Sequence, residues 1–341
     1  MKAARLYSFE DIRIEDVPVP EIGPHDALVR IRACGICSGD VMPWYIQQKA
    51  PLVIGHEPSG VIAAVGEKVD AFSKGDRVFV HHHAPCMVCR YCRRTDFVQC
   101  ETWKASRIVP GGIAEYILVP AVNLQNDTIG IPDSMSFEDA ALIEPTACVV
   151  KGLRRTRLQK GDTVLVIGLG VMGMIHLLML RSMGAGTIIA ADMIDYRRQK
   201  ALEFGADAVI DVSEVGLELG LRDLTAGGMA ELVVVGPNSA EVMSQGISCV
   251  RPGGEVLFFT PARPGERLTI DPNYLYFRDI NIITSYSCGP NDTAQACELI
   301  RQKVVSADKL VTHRFPIEKT GDAFALTSRA GESLKVLVVF A

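Results

Sequence analysis

A chain of 341 residues is long enough for two domains with separate cores. Apolar residues make up 48% and charged residues 22%, which excludes a disordered chain. The net charge of −5 gives no general attraction to nucleic acid or an anionic membrane, and neither is expected as a partner.

The N-terminal stretch MKAARLYSFEDIRIEDVPVP is charged throughout and lacks the apolar core of a signal peptide. Val/Ile-rich runs follow, bounded by Gly, Pro or Asp: ALVRIRACGI, SGVIAAVGEKV, GDRVFVHH and AEYILVP. They predict short strands of an all-β, barrel-like module. From Thr163 the pattern changes. TVLVIG predicts a buried strand, VMGMIHLLMLRSMGA a helix, GTIIAAD a strand and DYRRQKALEFGA an amphipathic helix. DAVID, ELVVVG, EVLFFTP and INIITSY continue as strands, so a parallel sheet covered by helices on both faces is expected. NDTAQACELIRQK predicts a helix capped near Asn291 or Asp292, and SLKVLVVF a last strand. Residues 163–180 contain no Asp, Glu, Lys or Arg, at the lower limit for a membrane span. Three glycines cut that run into a strand and a helix start, so it is read as buried. The basic stretch KGLRRTRLQKGD is read as a solvated helix face.

VLVIGLGVMG sets Gly168-x-Gly170-x-x-Gly173 after a strand and at the start of a helix. The first glycine permits a tight turn, the second lets backbone approach a pyrophosphate, and the third lets helix and strand pack closely. Gly168, Gly170, Val171, Met172 and Gly173 are the expected phosphate-binding residues, at a helix N-terminus with free N–H groups. Asp192 stands 19 residues after Gly173, at the end of the next strand. A carboxylate there accepts hydrogen bonds from the adenosine ribose and repels a 2′-phosphate, which favours NAD over NADP. Arg197 and Arg198 follow closely and soften that preference; Arg197 is counted with the cofactor site. His176, inside the helix, is read as a packed histidine.

PCMVCRYCRRTDFVQC spaces Cys86, Cys89, Cys92 and Cys100 so that four thiolates can close a tetrahedron around a structural zinc. An iron–sulfur cluster uses similar arithmetic, but a shorter last gap and a following proline are its usual pattern, and Glu101 follows here. His81, His82 and His83 precede this lobe. Alternating faces of a strand would keep them from converging on one ion, with His83 a lining residue. In ACGICSGDVMPW, Cys34 and Cys37 can be a redox dithiol, half of a zinc knot, or one ligand beside a bystander. Cys37 with His56 and Glu57 of GHEPSGVIAAVG makes a mixed ligand set suited to a labile zinc, and Glu144 of ALIEPTACVV is a fourth candidate. Cys148, Cys249, Cys288 and Cys297 are read as small buried residues. Ten cysteines without a secretory signal point to a reducing, cytoplasmic setting.

Together, CGICSGD, GHEPSGVIAAVGEKV with GDRV after it, the four-cysteine lobe, IEPTACVVKGL, and GLGVMG with Asp192 resemble the zinc-dependent medium-chain alcohol/polyol dehydrogenase family. The resemblance covers essentially the whole chain, and the Glu-Pro pair at Glu144 resembles the sorbitol dehydrogenase-like branch. It implies an α/β protein in which a GroES-like β-barrel catalytic domain is joined to a Rossmann-type domain with a doubly wound parallel sheet. The expected bounds are 1–147, completed by 289–341, and 148–288. The active site would lie in the cleft between the domains. The resemblance further implies two zincs per chain, one catalytic on Cys37, His56, Glu57 and Glu144 and one structural, with NAD as coenzyme. Asp40 would orient the histidine ligand; its rival reading is a cap for a helix starting near Val41. The implied activity is reversible oxidation of a secondary alcohol, a polyol or sugar alcohol, in a homodimer or homotetramer.

One departure stands out. The family usually carries Ser or Thr two residues after the ligand cysteine and often His five after it, to pass the alcohol proton outward; here those places are Gly39 and Met42. Either Ser38 takes over, or water and a carboxylate (Glu57 or Glu144) carry the proton, or the reaction needs no relay. The last option leaves open a reductase of the same fold acting on a conjugated or iminium substrate. A non-catalytic NAD-binding sensor is the reading from another class.

Overall fold

The computed structural model describes residues 1–329 and 331–341. It divides into two compact units, residues 1–147 with 287–341, and residues 148–286. Residues 287 and 288 group with the first unit, two positions off the expected boundary. Cys288 lies fully buried there, its Sγ 3.6 Å from His81 Nε2.

In chain order the strands are β1 (Lys2–Ser8), β2 (Asp11–Asp16), β3 (Ala27–Gly35), β4 (Leu52–Val53), β5 (Glu57–Val65), β6 (Arg77–Val80), β7 (Tyr116–Val119) and β8 (Thr128–Gly130). The second unit contributes β9 (Val164–Ile167), β10 (Ile188–Asp192), β11 (Ala208–Asp211), β12 (Ala230–Val235), β13 (Val250–Phe258) and β14 (Asn281–Thr284). The chain then returns to the first unit with β15 (Val311–Pro316) and β16 (Lys335–Val339).

The first unit carries a three-stranded sheet, β2-β1-β4, and a seven-stranded sheet in the order β15-β16-β3-β5-β6-β8, with β7 also on β3. β3 is antiparallel to both β5 and β16, and the register sets Gly35 opposite Glu57 and Leu337. Alternate residues of β3 (Ala27, Val29, Ile31) are fully buried, so its period of two meets a real core face. The C-terminal strand therefore flanks β3 on the side opposite β5, and its first residue, Lys335, reaches past the end of β3 to Glu57, the first residue of β5.

The second unit is a six-stranded parallel sheet in the order β11-β10-β9-β12-β13-β14. Strand order reverses beside β9, the position at which such sheets bind ligands at the strands' carboxyl ends. β9 is buried at every residue, as expected for a central parallel strand. The run checked as a membrane span is β9 followed by the helix Val171–Met183. Among the described residues no helix is long and apolar enough to cross a membrane.

Two local expectations change. The helix predicted to be capped at Asn291 or Asp292 starts at Pro290, and Asp292 reaches back from its first turn to accept the Gly289 N–H at 3.0 Å. The basic stretch is only partly a solvated face. Lys151 is buried and donates to the Tyr286 carbonyl at 2.6 Å, and the Arg157 guanidinium pairs with Glu255 at 2.8 Å.

Candidate active site

The loop after β3 carries Cys37, whose Sγ accepts the Gly39 N–H at 3.3 Å. His56 immediately precedes β5 and Glu57 begins it, about 20 positions after Cys37 in sequence but adjacent in space. The ligand atoms of Cys37, His56 and Glu57 lie within 4.8 Å of one another. Asp40 decides between its two readings. The nearby helix Pro43–Ile46 begins with Met42 as its cap, while Asp40 Oδ2 lies 3.2 Å from His56 Nδ1. A carboxylate on Nδ1 fixes the ring so that Nε2 faces the cluster. Cys34 is the bystander: fully buried, with its thiol pushed up to about 12 by burial and by the charge of Glu57.

Sequence reasoning missed Lys335. It stands at the start of β16, 1% exposed, in contact with Glu57, which is also 1% exposed. Nζ also donates to the Ile36 carbonyl at 3.1 Å. Burial opposes charge on Lys335, but Glu57 and Cys37 hold it above the ordinary lysine range. A Cβ on Gly35 would fall 1.7 Å from Glu57 Oε2 and 2.6 Å from Lys335 Cε, so the pair occupies the space of a missing side chain. The signal was a lone lysine inside the apolar run SLKVLVVF.

The three histidines do not behave as strand residues, because β6 ends at Val80. Two of them come together and the third does not. His81 and His82 each bring a ring nitrogen within 4.8 Å of the other and of a Glu144 oxygen. Glu144 is in the first turn of the helix Ile143–Arg154 and is buried. His81 Nδ1 lies 2.6 Å from Asp127 Oδ2, both side chains fully buried, and Asp127 Oδ1 accepts from Thr293 at 2.6 Å. Burial alone would depress His81, but Cys288 and Asp127 on its two sides hold it well above the usual imidazole value. His82 is pushed the other way, by burial and by the neighbouring imidazoles. Its ring centroid lies 4.8 Å from that of His56. His83, expected as a lining residue, instead packs on Trp103 at 4.4 Å and bonds the Ser106 carbonyl through Nδ1 at 2.6 Å.

Ser38 is exposed on its turn, outside the buried group. At the usual relay position, a Cβ on Gly39 would meet Cys37 Sγ at 3.5 Å and the Met42 methyl at 3.8 Å. The cysteine sulfur and a thioether methyl thus both border the space where a proton carrier was expected.

In the four-cysteine lobe the sulfurs all lie within 4.8 Å of one another, with Cys89 to Cys92 at 3.5 Å and Cys86 to Cys92 at 3.9 Å. Four thiolates about 2.3 Å from one zinc would stand roughly 3.8 Å apart. Burial would raise Cys100, but backbone N–H groups of Cys86 and Trp103 hold it down to about 6, prepared as a thiolate.

In the second unit Gly168 has φ +85°, and a Cβ on Gly173 would fall 2.2 Å from the Gly168 carbonyl oxygen. The helix N-terminus at Gly170 has no side-chain cap, leaving the N–H groups of Val171 and Met172 in its first turn. Asp192 accepts the Leu169 N–H at 2.7 Å and the Ile194 N–H at 2.9 Å. Arg197 Nη1 lies 3.9 Å from that carboxylate, while Arg198 turns to Asp211 at 2.6 Å. His176 is packed, edge-on to Phe259 at 4.6 Å.

The alcohol dehydrogenase GroES-like domain matches residues 23–133, and the zinc-binding dehydrogenase domain matches residues 171–302. Sorbitol dehydrogenase of Homo sapiens is 32% identical over 343 residues, 96% of this chain and 92% of that one. Sorbitol dehydrogenase of Bacillus subtilis is 30% identical over 348 residues, 99% of this chain and 97% of that one. The crystal structure of 2R,3R-butanediol dehydrogenase from Bacillus subtilis has a TM-score of 0.88 at 26% identity, covering 100% of this chain and 99% of that one. The chain belongs to the zinc-binding alcohol dehydrogenase family.

For a zinc-binding dehydrogenase, the side chains present fit both groups. Cys37, His56 and Glu57 offer the sulfur, nitrogen and oxygen donors of a catalytic zinc, with a buried carboxylate and an oriented imidazole already in place. The space over Gly170, where a Cβ would meet only Arg197 at 3.9 Å, fits a pyrophosphate.

Proposed function

We propose that this chain is a zinc- and NAD-dependent dehydrogenase that oxidises a secondary hydroxyl of a polyol or sugar alcohol to a ketone, reversibly. The observation that carries the reading is the Cys37–His56–Glu57 cluster with Asp40 on His56 Nδ1. Glu144, the fourth candidate, stands with His81 and His82 rather than within that cluster, and the full-length likeness to sorbitol and butanediol dehydrogenases supports the substrate class. When bound, zinc lowers the pKa of a coordinated hydroxyl and NAD accepts hydride.

The chain's own residues then have defined tasks. Asp40 keeps His56 in one tautomer, and the Lys335 ammonium opposes the effect of burial on the Glu57 carboxylate and holds it in place. With Ser38 exposed and Gly39 and Met42 lacking a proton carrier, water and the carboxylates of Glu57 or Glu144 take the alcohol proton outward. Gly168, Gly170, Gly173 and the first-turn N–H groups of Val171 and Met172 hold the pyrophosphate. Asp192 holds the ribose, with Arg197 at its side. Cys86, Cys89, Cys92 and Cys100 hold a second, structural zinc. All ten cysteines are free, which suits a cytoplasmic enzyme, and a homodimer or homotetramer is the assembly the family implies.

The test is a panel of polyols, secondary alcohols, amino alcohols and sugars with NAD and NADP, run beside metal analysis. Two zincs per chain, one readily chelated with loss of NAD-linked oxidation, is the expected result. A single tightly held zinc with no alcohol oxidation would sink the reading.

A further inference from the structure

We propose that His82 recognises the substrate's second hydroxyl through its Nδ1 atom, and so adapts this site to vicinal diols and polyols rather than simple secondary alcohols. The inference rests on the dehydrogenase reading above and deepens it. His82 follows β6, and its Nδ1 is shielded from water yet makes no hydrogen bond among the described residues. A buried polar atom of this kind calls for a partner that the folded chain does not itself provide.

The surroundings say what that partner is. The His82 ring lies beside His56, with centroids 4.8 Å apart, and one of its nitrogens is within 4.8 Å of a Glu144 oxygen. It is not one of the set Cys37, His56 and Glu57, whose ligand atoms form their own close group. His82 therefore stands beside the ligand set without belonging to it. A polyol whose one hydroxyl reacts at that set carries a second oxygen on the adjacent carbon, within reach of a neighbouring side chain. On the other side of the cluster Gly39 has no side chain, Met42 presents a methyl and Ser38 is exposed. His83 is already engaged with Ser106 and Trp103. An imidazole offers one donor or acceptor at Nδ1, and a hydroxyl can answer either. A substrate lacking that hydroxyl would leave Nδ1 unpaired, and a site built to pair with a hydroxyl discriminates strongly against its deoxy analogue.

The test compares kcat/KM for 2R,3R-butanediol with that for 2-butanol, with NAD, in the full-length protein and in H82A, H82Q and H82N. Wild type is expected to prefer the diol. The preference should fall by about tenfold or more in H82A and H82Q. It should return to within about threefold of wild type in H82N, because the asparagine amide reproduces the position of Nδ1 and glutamine that of Nε2. Zinc per chain should be the same in all four proteins. A wild type that oxidises 2-butanol as well as the diol, an equal fall in H82N and H82Q, or loss of one zinc in the variants each overturns the inference. If H82A does not fold, the asparagine–glutamine comparison decides alone. A wild type inactive on every alcohol overturns the dehydrogenase reading and this inference together; activity with an unmoved preference overturns only the inference.

Discussion

Lys335→Met isolates an electrostatic contribution that the sequence hid. Methionine keeps nearly the length and volume of the lysine stem, so packing changes little. What disappears is the charge beside Glu57, in a place where both partners are 1% exposed. The pair has no room to relax, since Glu57 Oε2 already fills the position of a Cβ on Gly35. Leaving one member of a buried ion pair uncompensated costs about 3–5 kcal/mol. We therefore expect K335M to lose about that much unfolding free energy at neutral pH when metal-free. Part of the loss is limited by Glu57 taking up a proton, since burial pushes its pKa upward once Lys335 no longer opposes it. E57Q alone strands the lysine and is also destabilising. The double variant E57Q/K335M should cost less than the sum of the singles by about 2 kcal/mol or more. Urea unfolding followed by tryptophan fluorescence is the assay, because the chain's two tryptophans, Trp44 and Trp103, both lie in the first unit. Strictly additive singles, or a K335M cost under about 1 kcal/mol, would refute the argument that the pair is a buried, mutually dependent unit.

Other outcomes follow from particular contacts. His176 is pushed down to about 4 by burial, below the ordinary 6.5. Its contribution is thus complete above pH 6.5 and lost as pH falls from 6.5 towards 4, about 3 kcal/mol in all. His176→Leu should flatten stability against pH in that window by about one proton, measured by urea titrations at stepped pH; an unchanged slope would count against it. Asp192→Asn should lower kcat/KM for NAD by about tenfold and raise that for NADP, since the repulsion of a 2′-phosphate disappears while Arg197 remains beside it. Unaltered discrimination in steady-state assays would remove Asp192 from the ribose site. Cys100→Ser should release one zinc per chain and open residues 86–105 to protease, because the lobe's own core is small (Phe97, Val98 and Trp103 around the cysteines). Full zinc retention would mean that three thiolates suffice.

Much of this protein is determined by local pattern. The parallel sheet, the Gly168–Gly173 turn and Asp192 are legible because each needs only neighbouring residues: a buried run, glycines where backbone must come close, and an acid one strand later. The four-cysteine lobe is legible for the same reason, since its four sulfurs come from one short stretch of chain. The candidate ligand motifs around Cys37, His56 and Glu57 also declare themselves by residue type. What sequence could not settle depends on distance in space between residues far apart in the chain. Lys335 reaches Glu57 only because β16 pairs with β3 at Gly35, across some 300 positions. Asp40 serves His56 rather than a helix because Met42 and Pro43 start that helix without it. His81 and His82 converge on Glu144 only because β6 stops at Val80, which ends the alternation that strand geometry would impose. Residue type announced a metal and a dinucleotide; tertiary packing alone decided which groups stand around them, because a buried charge or an unpaired nitrogen acquires its meaning from neighbours that the linear order does not place beside it.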